Sequence, residues 1–148
     1  MSAGQTRRLS VPATDAGIKA ALAALERLWA EQGVSRAVTW PVDVSLDEVL
    51  ANVVHHGLEG RGESAQVELE LTFEPGDPPR CEVRVADDGP EFDPLSAPAP
   101  DTTLGVDERP IGGLGIELVK RLMDEIQYER RDGRNHLRLV RRLVAMEH

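Results

Sequence analysis

The chain has 148 residues, enough for one ordinary domain around a single buried core. Its 26 acidic side chains against 17 basic ones give a formal net charge of −9, which argues against nucleic acid as a partner and requires any anionic ligand to be held by local donors. A lone cysteine, Cys81, excludes an intramolecular disulfide, and no apolar run approaches a membrane span or the core of a signal peptide, so a cytoplasmic protein with no membrane contact is expected.

In chain order, the first periodic stretch is Asp15 to Gln32, where Ile18, Leu22, Leu25 and Trp29 recur at helical spacing. Thr14 or Asp15 is placed to cap it and Gly33 to end it. A short connection through Trp40-Pro41 is expected next, since a residue before proline avoids helical geometry.

The central helix, Asp43 to Gly57, carries Leu46, Val49, Leu50, Val53 and Val54 on an apolar stripe. Glu48, Asn52 and His56 share a second stripe, about a third of a turn away, at the margin between core and solvent. A glycine-rich turn through Gly60 and Gly62 follows.

Gln66 to Phe73 alternates, with Val67, Leu69, Leu71 and Phe73 on one side and Glu68, Glu70 and Thr72 on the other, as a strand with one wet face does. Cys81, Val83 and Val85 continue the pattern after a turn at Pro75 to Pro79, so the two strands form a hairpin and Cys81 packs as a small hydrophobe. Asp88 to Pro110 is proline-broken and aperiodic, the signature of a lid or binding loop.

Beyond it, Ile111 to Gly115 opens a helix whose stripe is Leu118, Leu122 and Ile126, with Val119 and Met123 alongside. Two last strands, Ile126 to Arg130 and His136 to Leu143, flank the turn dipeptide Asp132-Gly133. Arg130, Arg131, Arg134, Arg141 and Arg142 are read as a solvated strand face. The expected fold is an α+β two-layer sandwich, helices on one face of a mixed, largely antiparallel sheet, as a single domain with its core over 10–143 and its lid over 88–110.

Three islands carry chemistry. Glu48 and Asn52, one turn apart on a helix, offer a general base for a hydroxyl and a hard oxygen ligand for Mg²⁺. In Asp87-Asp88-Gly89, a carboxylate at a strand end can accept from an exocyclic amine, and the glycine leaves room for a flat ring. The glycines Gly112, Gly113 and Gly115 at a helix start expose backbone N–H groups to an oxyanion. Each has a plainer reading: a solvated helix face, a turn, and a helix start eased by glycine.

Taken together, in this order, the islands resemble the Bergerat-type, histidine-kinase-like ATP-binding fold of gyrase-like ATPases, histidine kinases and bacterial anti-sigma serine/threonine kinases. Glu48-x-x-x-Asn52 is similar to its asparagine box, Asp87-x-Gly89 to its adenine box and Gly113-x-Gly115 to its phosphate-binding glycines. ERPIGGLGIELVKRLMDEI and GRNHLRLV resemble the anti-sigma branch, which regulates stress and sporulation sigma factors.

The resemblance implies ATP and Mg²⁺ as cofactors. Asn52 would ligate the Mg²⁺, Asp87 would read the adenine amino group, and Glu48 would be the catalytic base toward a partner's serine or threonine. Gly112, Gly113, Leu114 and Gly115 would meet the phosphates. Arg109 is a candidate for the γ-phosphate, at a slightly different distance from the glycines than in the family, while His56, Gly89 and Phe92 complete the candidate nucleotide contacts.

The implied partners are a sigma factor and an anti-sigma-factor antagonist that accepts the phosphate. A homodimer is allowed. One departure stands out: relatives place a threonine beside the adenine-reading aspartate on the last strand, and His136 to Leu143 contains no hydroxyl side chain. Two other readings fit the same boxes, a histidine-kinase catalytic domain detached from its phosphoacceptor and a non-catalytic module that clamps a partner.

Overall fold

A computed structural model describes residues 4–58, 61–96 and 113–146. Strand β1 (Gln5–Pro12) precedes helices α1 (Asp15–Gln32) and α2 (Arg36–Asn52), the hairpin β2 (Gln66–Glu74) and β3 (Arg80–Asp87), helix α3 (Gly113–Leu122), and the hairpin β4 (Glu125–Arg131) and β5 (Arg134–Arg142). The strands lie in the order β1-β2-β3-β5-β4 and every pairing is antiparallel. The three helices cover one face of this sheet, the expected α+β arrangement.

Registration explains how the core is built. Leu9, Leu69, Val85, Leu137 and Tyr128 fall in one row across all five strands, and Leu71, Val83, Leu139 and Ile126 in the next. Because alternate residues point the same way, these rows face the helices and pack on Leu25, Leu28, Leu46 and Leu50, all fully buried. Cys81 lies among them, and burial pushes its thiol well above the ordinary range. The opposite face is charged and cross-linked by pairs such as Arg8 with Glu70 and Arg134 with Glu68.

Local chemistry sets most boundaries. Thr14 Oγ1 accepts from Gly17 N at 3.0 Å to start α1, and Gly33, at φ 64°, ends it. The turn between β4 and β5 puts Asp132 at φ 55° and Gly133 at φ 73°, the positive angles of a tight hairpin.

Several expectations are corrected. Gln5 to Pro12 is a strand, paired along its length with β2; as an edge strand it shows only Leu9 and Val11 as an apolar signal. There is no break at Trp40-Pro41: α2 starts at Arg36 behind a Ser35 cap and runs through Pro41, whose ring is buried. The missing N–H costs one hydrogen bond, which burial of Thr39, Pro41 and Val42 against the core offsets.

On α3 Ile116, Val119 and Leu122 are buried, as is Met123 just beyond its end, whereas Leu118 is 41% exposed. Arg141 is not solvated: parity with Leu137 and Leu139 turns it inward, where it donates to Leu122 O at the end of α3 (2.6 Å) and to Val144 O (3.2 Å). Arg130 is also tied down, donating to Gly89 O at 2.7 Å.

The two N-terminal helices meet through a polar contact. Trp29 Nε1 donates to Asp43 Oδ1 at 2.9 Å, and burial pushes the Asp43 carboxyl up from its ordinary 3.8 to about 6. A raised value in the folded state means that the native protein binds the proton more tightly than the unfolded chain. This contribution is therefore complete below about pH 4 and is lost as pH rises through 6. Asp43→Asn keeps an acceptor for Trp29 without the charge. After discounting for partial exposure, it is expected to gain about 1 kcal/mol at pH 7.5, with the gap closing toward pH 4.5. Urea unfolding of both proteins at the two pH values measures this; a gap independent of pH refutes it.

Candidate functional site

The site lies where the sheet's inward rows turn from apolar to polar. One step beyond Val85, Leu137 and Tyr128, the same helix-facing columns carry Asp87, Asn135 and Arg130 in mutual register. Across from them, α2 gives way after Asn52 to a single π turn, Val53–Gly57, closed by Leu58 N donating to Val53 O at 2.8 Å. Such local widening of a helix is found at functional positions more often than elsewhere.

Between the two runs lies a narrow cleft. Val49, Val53, Val85, Ile116 and Leu137 make its apolar walls; Asn52, Asp87, Tyr128 and Asn135 are its polar points.

Asp87 is 4% exposed. Its Oδ1 accepts from Gly89 N at 2.9 Å and from Asn135 Nδ2 at 3.0 Å, and since both bonds fall on Oδ1, Oδ2 is the oxygen left for a ligand. Gly89 is wedged in: a Cβ there would come within 2.9 Å of Asp87 Oδ1, of Gly57 O and of a Leu58 methyl. Substitution by any L residue would therefore push the strand end away from the π turn. Outside the cleft, the Arg61 guanidinium bonded to Asp88 at 3.0 Å holds that carboxyl below the usual range.

Asn52, the last residue of α2 before the π turn, is buried, not marginal as its stripe suggested. Among the described residues its Nδ2 has no hydrogen-bond partner. A buried amide with an unmet valence is costly unless something else completes it. Glu48, one turn earlier, is half-buried against the first turn of α3: a Cβ on Gly115 would collide with its carboxylate. Gly115 thus lets the helix start come down onto Glu48, and the N–H groups of Gly113, Leu114 and Gly115 are among the first-turn donors that no α-helix satisfies internally.

The remaining candidates divide. Phe92 lines the cleft and its backbone N donates to Asn135 Oδ1 at 3.2 Å. His56 sits half-buried in the π turn, its Nε2 without a partner among the described residues, though it does not line the cleft, and His55 faces Asp15 at 3.2 Å. Arg109 and Gly112 lie outside the described residues, as do positions 97–110 of the lid expected over 88–110.

Asn135 is the polar residue that the sequence reading passed over. β5 begins at Arg134, two residues before the expected start, and this brings Asn135 opposite Asp87, the place where a threonine was looked for. Its parity with Leu137 and Leu139 was the available signal. Burial holds the Tyr128 phenol above its ordinary range, so it remains a donor, and its OH bonds Asn135 Oδ1 at 2.5 Å.

Whether Mg²⁺ fits is decided by the donor set. Among the described residues no cluster of three His, Cys, Asp or Glu side chains could cage a metal. The atom of Asn52 left without a partner is Nδ2, a donor that does not bind a cation; with the amide turned over, its oxygen takes that place, and one amide oxygen beside first-turn backbone N–H groups suits an ion shared with a polyphosphate, since Mg²⁺ commonly takes one or two protein ligands plus phosphate oxygens. The residues present fit that arrangement.

A family model described as "Histidine kinase-like ATPase domain" matches residues 11–141. The serine/threonine-protein kinase BtrW of Bordetella bronchiseptica is 34% identical over 137 residues, 91% of each chain. The serine-protein kinase RsbW of Bacillus pumilus is 34% identical over 96 residues, covering 61% of this chain and 57% of its own. The crystal structure of the RsbU and RsbW domains of Rv1364c from Mycobacterium tuberculosis superposes with a TM-score of 0.67 at 17% identity, over 95% of this chain and 32% of that one. At that identity the likeness shows the fold. Among the described residues no helix is long and apolar enough to cross a membrane.

Proposed function

Because the chain belongs to the histidine kinase-like ATPase family and, within it, to the serine/threonine-protein kinases, we propose that it phosphorylates a serine or threonine of a small antagonist protein and in alternation holds a sigma factor, in the cytoplasm. The observation that carries this reading is the meeting of Glu48 with Gly115. It sets a carboxylate against the first turn of α3, just outside the cleft that the chain neighbours Val49 and Ile116 line together with Asn52 and Asp87.

In this reading adenine lies between the apolar walls, with its amino group donating to Asp87 Oδ2 and its faces against residues such as Val49 and Ile116. The backbone of Gly113, Leu114 and Gly115 receives phosphate oxygens, aided by the positive end of the helix. Asn52 would hold Mg²⁺, which supplies neutralisation of phosphate charge when bound. Glu48 accepts the proton of the incoming hydroxyl as its oxygen attacks phosphorus, and the bond to the departing ADP oxygen breaks on the opposite side. His56, Phe92, Arg109 and Gly112 are secondary contacts in this scheme.

The test is single-turnover transfer from γ-labelled ATP to candidate antagonists encoded by the same cell. Acid-stable phosphate on a serine or threonine is expected. An acid-labile product would point to a detached histidine-kinase domain, and absence of transfer to every antagonist that binds would leave a partner-clamping module.

A further inference from the structure

Asn135 is the most heavily bonded side chain in the site, and its chemistry admits one orientation. Three donors reach its Oδ1: Phe92 N at 3.2 Å, Tyr128 OH at 2.5 Å and Arg130 at 3.2 Å. A backbone N–H and a guanidinium can only donate, so the amide oxygen must face them. On the other side Pro90 O, which can only accept, takes one hydrogen of Nδ2 at 2.9 Å. The second hydrogen of Nδ2 then goes to Asp87 Oδ1 at 3.0 Å.

Both ends of the amide are satisfied and the residue is 6% exposed, so rotating it would break five bonds at once.

Asp87 inherits this rigidity. Its Oδ1 is clamped between Gly89 N and Asn135 Nδ2, the carboxylate plane is fixed, and Oδ2 is offered to the cleft as an acceptor. Resting on the ATP-site reading above, we propose that Asn135 is a positioning residue that sets purine specificity: through Asp87 it commits the site to a 6-amino purine and against a 6-oxo one.

An amino group at that point donates to Oδ2. An oxo group there sets oxygen against oxygen, and the clamp denies the carboxylate the rotation that would relieve it. Discrimination therefore depends on how firmly Oδ1 is held, which is the work of a side chain that does not touch the base.

The experiment measures binding of ADP and of inosine diphosphate, which carries an oxo group in place of the amino group at purine C6 and with it a hydrogen on N1, to wild type and two variants by calorimetry. Asn135→Leu removes the donor to Asp87. Asn135→Ala removes the same donor without inserting apolar bulk or a charge beside Asp87, so it supplies a second variant if the leucine protein does not fold. Wild type is expected to prefer ADP by about 100-fold or more, and each variant to narrow that preference by about tenfold, mainly by loss of ADP affinity.

If Asn135 only supports the fold, both nucleotides weaken together and the ratio stays constant; that outcome overturns the proposal. Wild-type protein that binds ADP and inosine diphosphate equally overturns it as well, while leaving a nucleotide site in place. Wild type that binds neither removes the ATP-site reading and this inference with it.

Discussion

Glu48→Ala is expected to slow phosphoryl transfer by about 10²–10⁴-fold while ATP binding stays near the wild-type level. The base acts only when a hydroxyl is present to surrender its proton, so its removal is felt in the transfer step and not in the affinity for nucleotide. Its packing sharpens the test. The carboxylate rests on Gly115, and alanine leaves a gap at the start of α3, so Glu48→Gln, which fills the same space without accepting a proton, is the matched control. Both variants should lose transfer to a similar extent and melt within a few degrees of wild type. Single-turnover rates decide: equal rates in wild type and Glu48→Gln would remove the base assignment.

Asp87→Asn is expected to weaken ATP binding by about 1–3 kcal/mol, the loss when a buried acceptor is replaced by a group that cannot fully serve its donors. The surroundings of Asp87 make the mismatch specific. Gly89 N and Asn135 Nδ2 both need an acceptor on the Oδ1 side, so the new amide must turn its oxygen that way and its NH₂ toward the ligand's own NH₂. The cleft then presents donor to donor. Calorimetry with ATP and Mg²⁺ reads the change, and unaltered affinity would take Asp87 out of the base-reading position.

Much of this was written locally in the chain. The alternation of Val67, Leu69, Leu71 and Phe73 gave the strand, its wet face and its hairpin partner, and Asp132-Gly133 gave the second hairpin, because both signals depend only on near neighbours. The failures share a cause: each turned on a distant segment. β1 has little pattern of its own and is a strand because β2 offers it a ladder. Pro41 reads as a boundary locally, yet the core beneath Thr39 and Val42 holds the helix through it.

Arg141 and Arg130 looked like members of a basic surface. Strand parity turns the first under α3 and the cross-strand register lays the second over Gly89. Within the site, the residues set by short spacing were legible, as with Glu48 and Asn52 or Asp87 and Gly89. Asn135 was not, since its importance comes from pairing with a residue 48 positions away.

The alternation that points Asp87 inward also dictates where this chain can change length. Cys81, Val83, Val85 and Asp87 share one face through strict parity, so inserting or deleting a single residue within β3 would swing the carboxylate to the charged side of the sheet and expose the apolar row. A matching slip in β5 would do the same to Asn135. The turn from Pro75 to Pro79 is under no such constraint, because a residue gained there leaves the count from Cys81 onward untouched. Indels in homologous sequences should therefore gather in the hairpin turns and connections and be absent from Arg80–Asp87 and Arg134–Arg142, a pattern that an alignment of relatives can check directly.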